Sequence, residues 1–540
     1  MKTEFNHMDC FFCVYDVDLP YTADFLHREY FFTPSEFTPP IQRVSAFEGM
    51  ITSKDYVILG DVDSCKFILW GAVTARRSLT NIIVRREHNR FKEVIVIQPE
   101  IKKVEKPEEM VVLHGSDWRS LLIEYAEIVV SKMEVNLAGD INKNITGYCS
   151  WYYHYEKITE KELLQNMTAI RRNQQFFPAQ YIQIDDGFQV HHGDWLSQNA
   201  DWPTPLKLTV QKINESGFDA GIWTMPFLAS TASQIYKNHK DWFVKDGDGE
   251  PITFKGWSPE PDHLWVCLDT SRTDVIKHLE HVYSTLYEWG FRYFKLDGLL
   301  FGTMRGIRRL AESTGISCYR DGLKVVKSSV KDSIVLACGS GSLETVGLVD
   351  NARVGLDTGK QWQSWGLPTF EHKADTSEPV DPCFPSLENA LHTTLARWWQ
   401  YDRFYRADPD VIMARQENTS LTIGEARMSC LAAIITGVAF TSDNLDKVDS
   451  ERLELLRLAS DIRVHQVRPF DWKHKIWPHV YEGKIDGKRT VAIFNFSDKM
   501  TWSLSDLHFS QPCKELLHPL GMIRKKIVVN SHDAALLVEV

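Results

Sequence analysis

The spacing of hydrophobic and polar positions changes twice along the chain, and these changes divide it into three parts. Up to about residue 138, short apolar runs such as KDYVILGDVD and CKFILWGAV alternate with turn residues. Within this part, only the stretch from Trp118 to Met133 has helical spacing. Such a pattern is typical of an antiparallel β-sandwich, so we predict one over residues 1–138.

The middle part, residues 139–465, alternates apolar runs with amphipathic stretches of helical spacing. One such stretch, DVIKHLEHVYSTLYEWG, ends at Gly290, a residue type that commonly terminates helices. Repeated strand–helix units predict a parallel sheet, and this segment exceeds the roughly 250 residues that a (β/α)8 TIM barrel requires. An open doubly wound sheet is the alternative. The apolar runs are TGYCSW, AQYIQIDD, FDAGIWT, FRYFKLD, SIVLACG, NARVGLD and AAIITGVAFTSD.

The last part, residues 466–540, returns to short strand-like runs, including KRTVAIFNFSD and KKIVVNSHDAALLVEV. These runs predict a small antiparallel, sandwich-like β-domain. The predicted fold class is therefore multidomain: a central TIM barrel between an N-terminal β-sandwich and a C-terminal β-domain.

Composition and charge restrict the classes of partner. The chain has 61 Lys and Arg against 72 Asp and Glu, a formal charge of −11, which argues against nucleic acid and anionic membranes as partners. No apolar run is long enough to span a membrane, and no signal peptide is visible. Scattered cysteines fit reduced thiols. We therefore expect a cytoplasmic protein acting on a small substrate, and homo-oligomerisation is compatible with this expectation.

The run FRYFKLD places two charged residues on one face of an apolar strand. Alternate residues share a face, so Lys295 and Asp297 point the same way. A nearby cation favours the ionised carboxylate, which a carboxylate nucleophile needs. A structural salt bridge is the competing interpretation, although buried ion pairs are costly when they serve no other purpose.

Further acids follow two other predicted strands. In NARVGLDT, Arg353 and Asp357 share a face if the strand continues, and Asp357 can act as a proton donor or only cap a turn. In YIQIDDGF, Asp185 and Asp186 can accept hydrogen bonds from neighbouring sugar hydroxyls or lie in a solvated turn. Trp151 and Trp223, also near strand ends, can stack on a sugar or belong to the core. The sequence contains no metal-binding or nucleotide-binding motif, so we expect no metal and no cofactor.

Taken together, these segments resemble glycoside hydrolase family 36, the microbial α-galactosidases, in the clan shared with family 27. The resemblance covers the whole middle part in family order and is specific as a set. The segments that carry it are GYCSWYY, YIQIDDGF, GDW, GFDAGIWTMPF, DWFVKD, LDTS, GFRYFKLD, CGSGSLETVGLVDNARVGLDT and YDRFYRADPD.

The resemblance implies retaining hydrolysis of terminal α-D-galactosides without a cofactor. It implies that Asp297 is the nucleophile and Asp357 the general acid/base. It further implies that Asp185 and Asp186 bind the 4- and 6-hydroxyls and that Trp223 forms a stacking wall. The remaining implied substrate contacts are Lys295, Arg353, Cys338 and Gly339. Trp151, from its place near a strand end, is a further candidate for substrate binding.

Three other functions remain open. Gly341, in CGSGSLE, can leave room for a 2-acetamido group, so an α-N-acetylgalactosaminidase is one alternative. A transglycosylase of the raffinose-synthase type shares every motif. A catalytically silent sugar-binding protein would keep the fold, although the presence of both acids argues against it.

Overall fold

The computed structural model describes residues 11–15, 41–42, 49–61, 64–87, 90–101, 106–137, 140–254, 264–340, 343–355, 357–363, 385–471, 478–518 and 521–540. Gly341 lies outside these ranges.

Antiparallel sheets precede the barrel in sequence. One has five strands, in the order Ile41–Gln42, Phe11–Tyr15, Tyr56–Asp61, Lys66–Ala72 and Met110–Gly115. Another has three strands, in the order Gly49–Lys54, Asn81–Glu87 and Arg90–Ile97. The helix predicted from Trp118 is present as Trp118–Lys132, and Asp117 caps it by accepting from the backbone N–H of Arg119.

A parallel sheet forms the centre of the molecule, and every pairing within it is parallel. It has nine segments. Across the sheet, the first segment is Arg406–Asp408 and the last is Val411–Ile412, and in the chain only Pro409 and Asp410 separate these two. These two segments are therefore halves of one strand, and the sheet closes into a barrel of eight strands. In chain order the strands are Ile145–Cys149, Tyr181–Ile184, Asp219–Thr224, Phe291–Leu296, Ile334–Ala337, Asn351–Arg353, the interrupted strand 406–412, and Val438–Thr441.

Helices cover the outside of the barrel between most successive strands. The fourth strand follows a helix that ends at Gly290, whose φ of 108° lies in the left-handed region, which confirms the predicted helix stop. The helices are Trp151–His154, Glu160–Arg172, Leu206–Glu215, Gln234–Asn238, Thr273–Trp289, Gly315–Ser329, Leu387–Ala396, Ile423–Thr436 and Ser450–Asp461. A three-stranded antiparallel sheet follows the third barrel strand, with members Leu228–Ser230, Trp265–Cys267 and Thr253–Phe254.

Two sequence predictions for the barrel are corrected. The run AAIITGVAFTSD is not one strand, because its first half completes the helix Ile423–Thr436 and Gly437, with φ 75°, ends that helix before the eighth strand. The run NARVGLD is a strand only over Asn351–Arg353. A Cβ at Gly355 would lie 2.9 Å from the carbonyl oxygen of Ala390, so the chain packs closely against the following helix there.

The C-terminal part is antiparallel, as predicted. Its main sheet has the order His465–Pro469, Val480–Ile485, Lys488–Asn495, Asp533–Glu539, Cys513–Glu515 and Met522–Ile523. Met500–Ser503 pairs with Lys526–Val529 in a second sheet. The domain boundaries at residues 138 and 465 stay predictions.

Candidate active site

The site residues predicted from sequence lie at one end of the barrel. Each lies near the carboxyl end of a barrel strand or in the loop that follows it. In a parallel barrel these loops form one shared mouth. They are Trp151 after the first strand, Asp185 and Asp186 after the second, Trp223 in the third, Lys295 and Asp297 at the fourth, Cys338 and Gly339 after the fifth, and Arg353 and Asp357 at the sixth.

Two N–H donors hold the carboxylate of Asp297. The indole Nε1 of Trp223 donates to Oδ2 at 3.0 Å, and the backbone N–H of Gly298 donates to Oδ1 at 2.6 Å. A Cβ on Gly339, whose φ is 55°, would lie 3.0 Å from the same Oδ1. Residue 339 therefore leaves room for an oriented, partly exposed carboxylate, which is what a nucleophile requires.

Lys295 forms its ion pair with Asp185 and not, as predicted, with Asp297. Its Nζ lies 2.9 Å from Oδ2 of Asp185, and both side chains are buried. The second and fourth strands both neighbour the third, and side chains of alternate strands share a layer inside a barrel. Burial alone would lower the pKa of Lys295, but the Asp185 carboxylate raises it well above its usual value. Lys295 therefore stays charged.

Asp185 is fixed by the first barrel strand as well as by Lys295. The thiol of Cys149 donates to its Oδ2 at 3.2 Å, and its own backbone N–H donates to Oγ of Ser150 at 2.9 Å. The backbone N–H of Asp186 donates to its Oδ1 at 2.9 Å. The first, second and fourth strands together determine where this carboxylate lies.

Asp186 is held from within its own loop. Gln189 donates to its Oδ1 at 2.6 Å, and Nε2 of His192 lies 3.2 Å from the same oxygen. Burial raises the pKa of Asp186, but nearby His192 and the hydrogen bonds outweigh burial and lower it overall. The His192 ring centre lies 5.8 Å from that of Trp223 and 5.5 Å from that of Trp265. This histidine therefore connects Asp186 with the tryptophan that holds Asp297.

Trp223 does not fit the predicted role of a stacking wall. Its side chain is 1% exposed, so neither ring face is open to a sugar, and its indole N–H is used by Asp297. Trp151 is partly exposed and contacts Tyr155 edge to face at 5.3 Å between ring centres. Cys338 is buried, and burial raises the pKa of its thiol well above the usual range. Substrate contacts for Trp151 and Cys338 stay predictions.

Asp357 belongs to a network centred on Arg353. Because the sixth strand ends at Arg353, the two residues do not share a strand face, and the arginine instead donates from Nη2 to Oδ1 of Asp357. The same guanidinium lies 2.8 Å from Oδ2 of Asp410 and donates to the hydroxyl of Tyr152 at 3.2 Å. Burial disfavours the charged guanidinium, but Asp410 and other neighbours raise the pKa of Arg353 well above its usual value. Asp357 is therefore held by a permanent cation.

The seventh strand supplies functional residues that the sequence did not predict. Asp410, with φ 76°, accepts from the hydroxyl of Tyr152 and from the backbone N–H of Thr358. Asp408 is buried beside it, and burial together with Asp410 raises the pKa of Asp408 to about 6. The sequence feature that could have indicated them is RADPDVI, in which an acid lies on each side of Pro409. A proline interrupts a strand, and here it does so at the barrel mouth.

Within the described ranges, no group of three or more His, Cys, Asp and Glu side chains is placed to hold a metal ion. No helix within the same ranges is long and apolar enough to cross a membrane. Free thiols among the described residues include Cys149, Cys267, Cys318, Cys338, Cys430 and Cys513.

Residues 177–313 match the family model described as Melibiase. Asp185, Asp186, Trp223, Lys295 and Asp297 lie inside the matched segment. A curated relative from Flavonifractor plautii, named A type blood alpha-D-galactosamine galactosaminidase, is 29% identical over 122 residues, 22% of this chain and 11% of that protein. Alpha-galactosidase 2 of Pediococcus pentosaceus is 28% identical over 129 residues, 20% of this chain and 18% of that protein. The matches thus span a small fraction of these relatives.

The solved structures of an α-galactosidase from Thermus thermophilus are similar over most of this chain. Its complex with stachyose is 25% identical, covers 76% of this chain and 81% of its own, and has a TM-score of 0.63. Its complex with p-nitrophenyl α-D-galactopyranoside is 24% identical, covers 89% of this chain and 90% of its own, and has a TM-score of 0.67. These similarities support the barrel and the sheets around it.

Proposed function

We propose that this protein is a glycoside hydrolase of the α-galactosidase type, which removes terminal α-D-galactosyl residues from oligosaccharides with retention of configuration. The observation that carries the proposal is the Asp297 carboxylate, held by Trp223 and Gly298 at the barrel mouth. The Melibiase match over residues 177–313 supports the same chemistry. No metal or cofactor enters the proposed reaction.

The proposed reaction is a double displacement that uses Asp297 and Asp357. Asp297 attacks the anomeric carbon while Asp357 donates a proton to the leaving oxygen, which gives a glycosyl-enzyme ester and a free alcohol. Asp357 then takes a proton from water, which attacks the same carbon and releases Asp297. In a retaining enzyme the two carboxyl groups lie about 5–5.5 Å apart, and we expect that separation here.

Arg353 stabilises the ionised form of Asp357 that proton donation produces in the proposed cycle. Once the proton has been donated, Asp357 is an anion, and the buried guanidinium of Arg353 stabilises it. Asp410 holds the other side of Arg353, so the cation stays in place when Asp357 is neutral. We assign binding of the sugar hydroxyls to Asp185 and Asp186, whose positions Lys295 and His192 fix.

Two variants test the assignment of roles. Asp297→Ala should abolish hydrolysis of p-nitrophenyl α-galactoside. Asp357→Ala should reduce kcat/KM far more for an oligosaccharide than for an activated aryl galactoside, since the aryl leaving group needs no proton. NMR of the first-formed anomer reports the stereochemistry. Wild-type rates for Asp297→Ala, or a β-configured first product, would contradict the proposal.

A second candidate function is α-N-acetylgalactosaminidase activity. It is favoured by the match to the Flavonifractor plautii protein, whose name describes a galactosaminidase. Parallel assays of aryl α-galactoside, aryl α-N-acetylgalactosaminide and aryl β-L-arabinopyranoside separate the candidates through kcat/KM. Adding sucrose or another sugar acceptor and analysing the products distinguishes hydrolysis from transglycosylation.

A further inference from the structure

A buried tryptophan, Trp362, follows Asp357 by five residues and contacts the C-terminal β-domain. Trp362 stacks on His532, with ring centres 4.3 Å apart and planes inclined by 18°. Its ring centre lies 5.9 Å from that of Phe496. His532 immediately precedes the strand Asp533–Glu539, and Phe496 follows the strand Lys488–Asn495. Trp362 therefore joins the loop carrying Asp357 to a separate sheet.

The barrel holds the same segment through its backbone. The carbonyl of Trp362 accepts from the backbone N–H of Glu388 at 3.0 Å, and the carbonyl of Gln361 accepts from that of Leu387 at 3.1 Å. Both donors lie in the first turn of the helix Leu387–Ala396, whose N–H groups have no partner within the helix. The segment is thus seated between this helix and the C-terminal domain.

His532 is itself braced against the barrel. Its Nδ1 lies 3.2 Å from Oε1 of Glu425, the residue that completes the capping box at the start of the helix Ile423–Thr436. Its φ of 48° places it in the left-handed region, which is uncommon for residues other than glycine. The position of the His532 ring is therefore set both by Glu425 and by the backbone conformation of His532 itself.

Asp357 depends on its backbone for its position more than the other acids do. Its side chain is 44% exposed, against 2% for Asp185 and 6% for Asp186. Surrounding packing cannot fix a side chain that is so exposed. Its position is instead constrained by the ion pair with Arg353 and by the anchoring of the segment 357–363.

We infer that Trp362 is a positioning residue for Asp357, through which the C-terminal β-domain holds the general acid/base in place. The inference rests on the proposed function for the role of Asp357, while the docking itself rests on the contacts alone. A misplacement of about 1 Å can reduce a rate about 100-fold. Loosening Trp362 should therefore impair proton donation selectively.

The test compares leaving groups in Trp362→Ala and His532→Asn, in the full chain. Asparagine tolerates a positive φ, so the second variant removes the ring with little backbone strain. We expect kcat/KM for an oligosaccharide to fall about 10- to 100-fold more than kcat/KM for an activated aryl galactoside. Trp362→Phe, which keeps an aromatic ring, should recover most of the loss.

Trp502→Ala is the matched control, because Trp502 is partly buried, packs against the core of the C-terminal sheets and is not part of the segment 357–363. It should lower the melting temperature without changing the ratio between the two substrates. Equal losses on both substrates in Trp362→Ala and His532→Asn, or the same altered ratio in Trp502→Ala, would overturn the inference.

Hydrogen exchange separates the docking from the chemistry. Amides of residues 357–363 should exchange faster in Trp362→Ala and His532→Asn than in the parent and in Trp502→Ala. Unchanged exchange in this segment would overturn the docking, whether or not the protein is active. A parent that cleaves no aryl α-glycoside, with faster exchange in the two variants, would instead reject the proposed function and keep the structural coupling.

Discussion

Replacing Asp408 with asparagine should stabilise the protein at neutral pH and leave it unchanged in acid. Asp408 is 6% exposed, and its Oδ1 accepts from the backbone N–H of Asp410 at 2.8 Å. An asparagine side-chain oxygen can accept the same hydrogen bond. The substitution therefore removes the titratable group while it keeps the shape and the acceptor.

The magnitude follows from the pKa of Asp408, which rises from 3.8 to about 6 in the folded protein. Between these values the folded state binds a proton that the unfolded chain has lost, so the stability from Asp408 is complete below pH 3.8 and is lost as pH rises through 6. Two pKa units correspond to about 3 kcal/mol. The asparagine variant avoids this loss, so its advantage over the parent should grow to about 3 kcal/mol above pH 6.

Thermal melting of the two proteins from pH 4 to pH 7.5 measures this advantage. At roughly 1–2 °C per kcal/mol for a barrel of this size, the difference in Tm should grow from near zero to about 3–6 °C. Asp248→Asn, at an exposed turn, is the control and should follow the parent. A difference that does not vary with pH, or an asparagine variant less stable than the parent throughout, would refute the reasoning.

Two further predictions concern the side chains that hold Asp185 and Asp186. Lys295→Met leaves the Asp185 carboxylate buried without its cation, which should cost about 3–5 kcal/mol in unfolding experiments. Adding Asp185→Asn should recover part of that loss, and strictly additive effects would contradict the ion pair. His192→Asn removes the group that lowers the pKa of Asp186, so KM for an aryl galactoside should rise about 10-fold and should increase more steeply as pH falls. A KM of the His192→Asn variant equal to that of the parent at every pH would contradict this role of His192.

The sequence was sufficient to predict which residues lie at the barrel mouth. Alternating apolar and helical patterns identified most barrel strands, and the ends of parallel strands share one edge by geometry. The sequence alone therefore predicts that Asp185, Asp297 and Arg353 lie near one another. The closing strand around Pro409 was missed because only short apolar stretches flank the proline.

The partners of these residues could not be predicted in the same way. Alternation along FRYFKLD indicates which face Lys295 shares but not which strand supplies its acid. That choice depends on the closed barrel, where the second and fourth strands contribute to one layer. The indole of Trp223 reaches Asp297 for a similar reason, since Trp223 lies opposite Lys295 in the register of the neighbouring strand.

The pairing of the first barrel strand with the eighth has a consequence for the synthesis of the protein. The first strand, Ile145–Cys149, gains its second neighbour only when Val438–Thr441 has been made, about 290 residues later. The strand carrying Asp297 is translated long before Asp410 emerges to hold Arg353. A nascent chain therefore exposes an unpaired strand edge until Val438–Thr441 has been translated, and chaperones that cover such edges should influence the yield of folded protein.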